Sequence, residues 1–252
     1  MKKNDIPTFP HPIHSNPSHD AEHVVYLGGT GSGKTSAVKY LGLVPKKAQA
    51  LFFDPYRNYA GAKFQGQMCH GFTVRSELVK AVLRARRSGQ PFKAAYIPTG
   101  GATMQELEFF SAFAWALGNG QAPKLHVVIE ELASCAETSG KLKGKAGELL
   151  RGGRQYGHVI HTIFQKGQEV PKTVTDQSSV WWVGAVNATN DAQWVADRKG
   201  VDVTLITGLT SAKVNKTRHG KPIAEYLLIR DGIGNVTKGA INCATGQKTK
   251  VI

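Results

Sequence analysis

The chain has 252 residues, and its 32 lysines and arginines against 18 aspartates and glutamates give a formal net charge of +14. No apolar run approaches the roughly 20 residues that span a bilayer, no apolar signal segment opens the chain, and the three scattered cysteines match no disulfide framework. We therefore expect one large cytosolic α/β domain that is not secreted, whose positive charge favours a polyanionic partner or a membrane surface.

Residues 1–22 are predicted to form an irregular N-terminal arm. Prolines and histidines recur along this stretch, which has little to bury. The histidine spacings fit no metal-ligand pattern, and no cysteine lies close by. We expect neither a metal site nor a folded domain in the arm.

The stretch HVVYLGGTGSGKTS (residues 23–36) combines a β-type apolar run with a glycine-rich turn, a lysine and two hydroxyls. Gly28 and Gly33 bracket four residues and precede Lys34 and Thr35, which completes the phosphate-loop (Walker A) pattern. Such a glycine-rich backbone turns its N–H groups inward and forms a cradle for polyphosphate. Lys34 is predicted to reach the β- and γ-phosphates, and the Thr35 hydroxyl is predicted to ligate Mg²⁺.

The expected cofactors are therefore ATP and Mg²⁺. The candidate nucleotide-binding residues are Gly28, Gly29, Thr30, Gly31, Ser32, Gly33, Lys34, Thr35 and Ser36. The alternative is a glycine-rich turn with an incidental lysine. The sequence favours the phosphate loop, because strand, loop, Lys-Thr and helix occur in the required order.

Strands and helices alternate after the loop. The pattern predicts helices over 36–43, 74–88, 103–117 and 187–200, and strands over 48–53, 92–97, 125–131, 158–164, 179–186 and 223–230. The aromatic residues of the 103–117 helix and the Trp181-Trp182 pair are interpreted as core. The arginines at 84, 86 and 87 are either a solvated helix end or part of a phosphate-binding rim. This order of elements predicts an α/β fold with a mainly parallel central sheet flanked by helices.

The strand LHVVIEE (residues 125–131) ends in two acids. Its continuous apolar run is typical of a buried parallel strand, and carboxylates at the C-terminal edge of such a sheet can face a bound nucleotide. We expect Glu130 near Mg²⁺ and Glu131 near the attacking water. The basic segment 139–157 that follows is either a solvated linker with a short helix or a contact to nucleic-acid backbone.

Three segments together resemble the FtsK/HerA superfamily of DNA-pumping ATPases, with their RecA/FtsK-like fold. They are GGTGSGKT (28–35), LHVVIEELASC (125–135, the Walker B strand and its E-h-A segment) and RQYGHVIHTIFQ (154–165). In the last segment, Gly157 lies three positions and Gln165 eleven positions beyond Arg154, which is similar to the family's spacing. FFDPYRNYAG (52–61) is similar to the family's second strand. Within the superfamily, the short chain is most similar to the genome-packaging ATPases of membrane-containing double-stranded DNA viruses.

The resemblance implies a division into an arm (1–22), a single ATPase domain (23–230) and a basic C-terminal extension (231–252). It also implies catalytic roles: Glu131 orients the water, Gln165 senses the γ-phosphate, and Arg154, or Arg151 just upstream, acts as a finger in trans. Thr35 and Glu130 are the implied metal ligands. The family commonly has Asp before the Glu, whereas this chain has Glu130 before Glu131.

The partners that the resemblance implies are double-stranded DNA, bound without sequence preference, five further copies in a homo-hexamer, and proteins of a capsid vertex or viral membrane. The implied location is the host cytoplasm or the virion vertex. Three alternatives stay open: a cellular or conjugative DNA pump, a small-molecule kinase, and a nucleotide-gated scaffold that does not translocate DNA.

Overall fold

In the computed structural model, the described residues are 7–135, 140–230 and 232–249. They form two compact units. The first, here called the acidic-strand unit, combines the residues up to His23 with Pro45–Thr162 and Pro171–Gln177. The second, the phosphate-loop unit, comprises Val24–Val44, Ile163–Val170 and the residues from Ser178 onward. The division into arm, ATPase domain and basic extension stays a prediction.

Helices and strands alternate along most of the chain. The strands are β1 (Val24–Leu27), β2 (Gln49–Phe53), β3 (Lys63–Phe64), β4 (Gln67–Met68), β5 (His70–Phe72), β6 (Phe92–Tyr96), β7 (Leu125–Ile129), β8 (His158–Phe164), β9 (Val180–Gly184), β10 (Ile223–Arg230), β11 (Val236–Asn242) and β12 (Lys248–Thr249). The α-helices are α1 (Lys34–Tyr40), α2 (Arg75–Arg87), α3 (Met104–Ala116), α4 (Leu132–Cys135), α5 (Gly144–Gly152), α6 (Lys172–Gln177), α7 (Thr189–Lys199), α8 (Val203–Thr207) and α9 (Ala212–His219). Among the described residues, no helix combines the length and the apolar character needed to cross a bilayer.

The acidic-strand unit is built on a parallel sheet with the strand order β8-β7-β2-β6-β5. Every residue of β2 and β7 is buried, as expected for strands that are covered on both faces. Phe53 pairs with Tyr96 on one side and Ile129 on the other, and its ring lies 5.4 Å from that of Phe110 on α3. Parallel pairing therefore aligns the C-terminal ends of β2, β6 and β7 at one edge of this sheet.

The phosphate-loop unit has the strand order β12-β11-β10-β9-β1. Strands β1 and β9 are parallel, whereas β9, β10, β11 and β12 pair antiparallel in turn. Trp181 and Trp182 of β9 are fully buried, so their predicted role in sheet packing is confirmed. β11 pairs with β10 along its whole length, so residues that were predicted as an extension contribute a strand to this unit.

The predicted α/β fold with a mainly parallel sheet flanked by helices is confirmed. Strands β8 and β10 have the predicted bounds, and α3 begins at a capping residue, Thr103, whose hydroxyl accepts a hydrogen bond from the backbone N–H of Glu106 at 3.3 Å. Helix α1 begins at Lys34, two residues earlier than predicted. Arg86 is neither fully solvated nor part of a rim, because its guanidinium donates hydrogen bonds to the Gln49 side chain and to the Leu117 carbonyl.

Candidate nucleotide-binding site

The loop after β1 has the backbone of an anion cradle. Gly31 and Gly33 take φ angles of 78° and 99°, in the left-handed region that favours glycine. A side chain at Gly33 would also clash, since a Cβ there would lie 2.5 Å from the Cβ of Ala224 on β10. The loop closes on itself through a hydrogen bond from the Ser32 N–H to the Gly29 carbonyl at 3.1 Å. The glycines at 31 and 33 are therefore required by conformation and, at 33, by packing.

Lys34 folds back over this loop. Its ammonium donates hydrogen bonds to the carbonyls of Gly28 at 2.6 Å and Gly29 at 3.0 Å. The loop itself is fixed to its own unit, because the Gly29 N–H donates to the Ala185 carbonyl, just after β9, at 2.8 Å. A positive charge is thus held at the start of the turn, and Thr35 and Ser36 lie at its other end, on the first turn of α1.

Gln165, the predicted γ-phosphate sensor, lies beside the loop. It follows β8 directly, and its Oε1 accepts a hydrogen bond from the Thr30 hydroxyl at 3.1 Å. Both side chains are exposed. A cavity of about 200 Å³ adjoins Gln165, lined by Gly29, Gln165, Lys166, Gln168, Asn187, Ala188, Asn190 and Asp191. The tip of the loop and the predicted γ-phosphate sensor are therefore directly linked.

The other predicted catalytic and metal-binding residues lie in the acidic-strand unit. Glu130 is 5% exposed, and its Oε1 accepts a hydrogen bond from the Tyr59 hydroxyl at 2.6 Å. Tyr59 is itself fully buried, with its ring 4.8 Å from that of Phe52. Sequence reasoning selected the segment around Asp54-Pro55 but missed Tyr59, because a tyrosine five residues after a strand carries no signal of its partner.

Asp54 explains why Tyr59 is held in place. Its buried carboxylate accepts hydrogen bonds from the backbone N–H groups of Asn58, Tyr59 and Ala60, at 2.6, 3.0 and 2.9 Å. Such bonds to a charged acceptor are among the stronger ones in proteins. The turn after β2 is therefore fixed, and it delivers the tyrosine hydroxyl to the end of β7.

Glu131 has an unusual backbone. Its φ of 56° lies in the left-handed region, which non-glycine residues adopt infrequently and which recurs at functional sites. Its Oε2 accepts a hydrogen bond from the Ser134 hydroxyl at 2.9 Å. Burial, and then the Glu131 carboxylate, raise the pKa of the Cys135 thiol to about 11, so that thiol stays neutral. The carboxylate is half-exposed and is held by one turn of its own segment.

The two candidate finger arginines both make hydrogen bonds within the acidic-strand unit. Arg151 donates from Nη1 to the Leu142 carbonyl at 2.9 Å. Arg154 donates from Nη1 to the carbonyls of Pro17 and His19, in the N-terminal arm. The arm was predicted to be irregular, and no sequence signal indicated that it supplies acceptors to an arginine. A role for either arginine in trans stays a prediction.

The residues present fit a magnesium nucleotide. The loop offers two glycines in the left-handed region, the Lys34 ammonium, and the buried Ser32 hydroxyl, which has no hydrogen-bond partner among the described residues. Thr35 in the phosphate-loop unit and Glu130 in the acidic-strand unit each carry a hard oxygen donor of the kind that Mg²⁺ prefers. Neither sulfur nor imidazole belongs to this donor set.

Known proteins support the same fold. The chain is 27% identical over 183 residues to protein P9 of Pseudoalteromonas phage PM2. The matched region covers 73% of this chain and 77% of that protein. The genome-packaging NTPase B204 of Sulfolobus turreted icosahedral virus 2, solved with ATP-gammaS, is similar with a TM-score of 0.60 at 13% identity, over 94% of this chain and all of that one. The chain has the fold of that NTPase.

A bacterial conjugative coupling protein, TrwBdeltaN70, is also similar, with a TM-score of 0.53 at 11% identity, over 88% of this chain and 86% of that one. No protein-family model matches the sequence. The chain thus shares its fold with a viral packaging protein and with a conjugative one. The nucleotide-binding and catalytic roles of individual residues stay predictions.

Proposed function

We propose that this protein is an ATP-hydrolysing motor that translocates double-stranded DNA and packages a viral genome into a preformed capsid. The observation that carries the proposal is the conformation of the phosphate loop, with left-handed Gly31 and Gly33 and the ammonium of Lys34 over the turn. A viral packaging NTPase that shares the fold over 94% of the chain supports the packaging role.

The roles of the residues follow from their chemistry. Residues 28–36 cradle the phosphates through backbone N–H groups, with Lys34 placing its positive charge on the β- and γ-phosphates. Thr35 and Glu130 would hold Mg²⁺, which would neutralise charge on the phosphates. Glu131 orients the attacking water and accepts its proton, and Gln165, which touches Thr30 of the loop, reports the γ-phosphate.

A motor of this type works as a ring. We assign the arginine finger to Arg154 or Arg151, which would stabilise charge on the transferring phosphoryl group of a neighbouring copy. That role requires an assembly, and a homo-hexamer is the ring that the superfamily resemblance implies. Proteins of the capsid vertex or the viral membrane are the proposed docking partners of the ring, which would work at the virion vertex or in the host cytoplasm.

The DNA is gripped through its phosphates. The net charge of +14 supplies sequence-independent attraction, which a motor needs because it must accept every base sequence. Lys141 and Lys143 are exposed just before α5 and are the proposed phosphate contacts. DNA binding should accordingly weaken steeply as salt is raised.

A conjugative or cellular DNA pump is the second candidate function, and the likeness to the TrwB coupling protein favours it. Its chemistry would be the same, and only its partners would differ. A pump of this kind would act on a conjugative or chromosomal substrate in the absence of capsid proteins, whereas the packaging motor requires a capsid vertex for net DNA uptake.

The test is the rate of phosphate release from ATP, with and without double-stranded DNA, measured alongside the particle mass in solution. We expect a ring-sized particle whose ATPase is stimulated by DNA of any sequence. Lys34→Ala should abolish turnover, and Lys80→Ala, an exposed lysine on α2, is the control that should not. A monomer under all conditions, with an ATPase indifferent to DNA, would contradict the motor.

A further inference from the structure

A cavity of about 450 Å³ lies beside the phosphate loop, within the phosphate-loop unit. It is lined by Gly31, Gly33, Lys34, Thr35, Ser36, Ala212, Lys213, Lys216, Pro222 and Cys243. One wall is the loop itself, and the other comes from α9 and from the residues next to β10 and β11. Its volume lies in the usual range for small-molecule sites, about 300–1,000 Å³.

The wall formed by α9 is fixed to the loop. The backbone N–H of Lys213 donates a hydrogen bond to the Gly31 carbonyl at 3.2 Å, and a Cβ added at Gly31 would lie 3.0 Å from the Cβ of Lys213. Ser211 caps the helix by accepting from the Val214 N–H at 3.2 Å. The lysines at 213 and 216 lie one helical turn apart, both are exposed, and neither forms an ion pair with another described residue.

The base of the cavity is formed by two segments that are bonded to each other. The Cys243 N–H donates to the Pro222 carbonyl at 2.8 Å, and a Cβ added at Gly33 would lie 3.1 Å from the Cys243 thiol. Burial raises the pKa of that thiol above its usual value. A proline ring, a neutral thiol and the methyl group of Ala212 therefore offer mainly apolar surface.

The geometry decides which end of a nucleotide this cavity faces. Lys34 directs its ammonium toward Gly28 and Gly29, and Gln165 adjoins the same end of the loop, so the terminal phosphates belong there. The phosphate chain then runs toward Thr35 and Ser36. The nucleoside must leave the loop on the side where these two residues line the cavity.

We propose that this cavity holds the ribose and base of the nucleotide, and that it accepts all four nucleoside triphosphates with little discrimination. This inference rests on the proposed nucleotide hydrolysis. Reading the edge of a base takes donors and acceptors at fixed positions, as asparagine and glutamine provide. Beyond the loop, the lining side chains are instead an alanine, a proline, a cysteine and two lysines, and a lysine is a flexible donor with no acceptor.

The first test compares kcat/KM for ATP, GTP, CTP and UTP in the wild-type protein. We expect values within about 20-fold of one another, because a site without edge-reading hydrogen bonds discriminates weakly. A larger preference for one base would overturn the inference while leaving the proposed NTPase intact. Absence of hydrolysis with all four nucleotides would instead contradict the proposed function.

The second test asks where the nucleoside lies without using catalysis. Iodoacetamide should alkylate Cys243 more slowly when ATP or GTP is bound, and equally for both; Cys69 and Cys135 are buried, and a Cys243→Ser variant identifies the labelled site. Lys213→Ala and Lys216→Ala should each raise KM about threefold for every nucleotide, through lost contacts to the α-phosphate or ribose. Lys221→Ala removes the same charge outside the cavity and is the matched control.

The labelling result tests the placement of the base, and the KM values test the role of α9 and the lack of base discrimination. Unprotected Cys243 would overturn the placement of the base, and an unchanged KM in both lysine variants would overturn the role of α9. A variant that raises KM for one base alone would overturn the lack of discrimination. Equal protection by both nucleotides, with a uniform rise in KM that Lys221→Ala does not reproduce, supports the proposal.

Discussion

The Tyr59 hydroxyl donates a 2.6 Å hydrogen bond to Oε1 of Glu130, and both side chains are buried. This contact bears on Glu130, a position at which the FtsK/HerA family that the sequence resembles commonly has aspartate. The additional methylene lengthens the side chain, and the tyrosine fixes the longer side chain at one oxygen. Tyr59 is therefore a positioning residue for the proposed metal ligand.

Tyr59→Phe should lower the apparent affinity for Mg²⁺ without abolishing nucleotide binding. The change keeps the ring against Phe52 and removes only the hydroxyl, so we expect the Mg²⁺ concentration for half-maximal ATPase to rise about tenfold, as for other residues that orient metal ligands. Equilibrium unfolding should show a loss of about 1–2 kcal/mol, because a buried acceptor loses one donor. Tyr56→Phe is the control, since Tyr56 is 61% exposed in the same segment. A wild-type response of Tyr59→Phe to Mg²⁺ would contradict the positioning role.

Glu131→Gln should separate nucleotide binding from hydrolysis. The amide keeps the size of the side chain and can still accept from the Ser134 hydroxyl, but it is a far weaker base for the attacking water. We expect phosphate release to fall by about 100-fold or more, with binding of a fluorescent ATP analogue retained. Ser134→Ala should lower the rate only a few-fold. An active Glu131→Gln protein would remove Glu131 as the water-orienting group.

The phosphate loop, the buried strands and the capping of α3 were predictable because each depends on local residues. Periodicity gave β8 and β10 their correct bounds, and the spacing from Thr103 to Glu106 predicted a hydrogen bond that is present. Trp181 and Trp182 were correctly interpreted as core, since a continuous apolar strand buries both faces.

The features that were missed depend on contacts distant in sequence or on short elements. Tyr59 and Glu130 are 71 residues apart, and Arg154 meets carbonyls 137 and 135 residues earlier in the chain. Helix α9 was not predicted, because its buried residues are only Ala212 and Asn215 and it carries little apolar periodicity. Yet α9 forms one wall of the cavity beside the phosphate loop, so a polar helix can still line a cavity.

Arg154→Ala should be rescued by mixing if the arginine acts in trans. Rings that combine Arg154→Ala subunits with Glu131→Gln subunits contain interfaces with a wild-type Glu131 on one side and a wild-type Arg154 on the other. We expect such mixtures to recover ATPase activity that neither variant shows alone. The same mixture made with Arg151→Ala identifies which arginine is the finger.

Loss of the arm contacts is the competing explanation for an inactive Arg154→Ala protein, because Arg154 binds the carbonyls of Pro17 and His19. Thermal unfolding of the variant separates the two effects. An unchanged melting temperature with rescue in mixed rings supports a finger. A lowered melting temperature without rescue would assign Arg154 to holding the arm.

Acid should destabilise the acidic-strand unit through four buried histidines. Burial is the largest cause in each case, and it lowers the pKa of His23 and His158 to about 4, that of His126 to about 3, and that of His161 well below 6.5. The ring nitrogens of His126 and His161 lie 2.9 Å apart, so one must donate and the other accept, and protonating both would break this contact.

The unfolded chain binds protons at these histidines near pH 6.5, whereas the folded chain resists them until about pH 4 or below. The free energy of unfolding should therefore be highest above pH 6.5 and fall as the pH drops toward 4, by up to about 1.4 kcal/mol per pH unit for each histidine. Urea unfolding at pH 7, 6 and 5 measures the slope. His126→Gln should reduce the slope, whereas His70→Gln, at an exposed position on β5, should not. A free energy of unfolding that stays constant between pH 7 and pH 5 would show that these histidines are not kept neutral by burial.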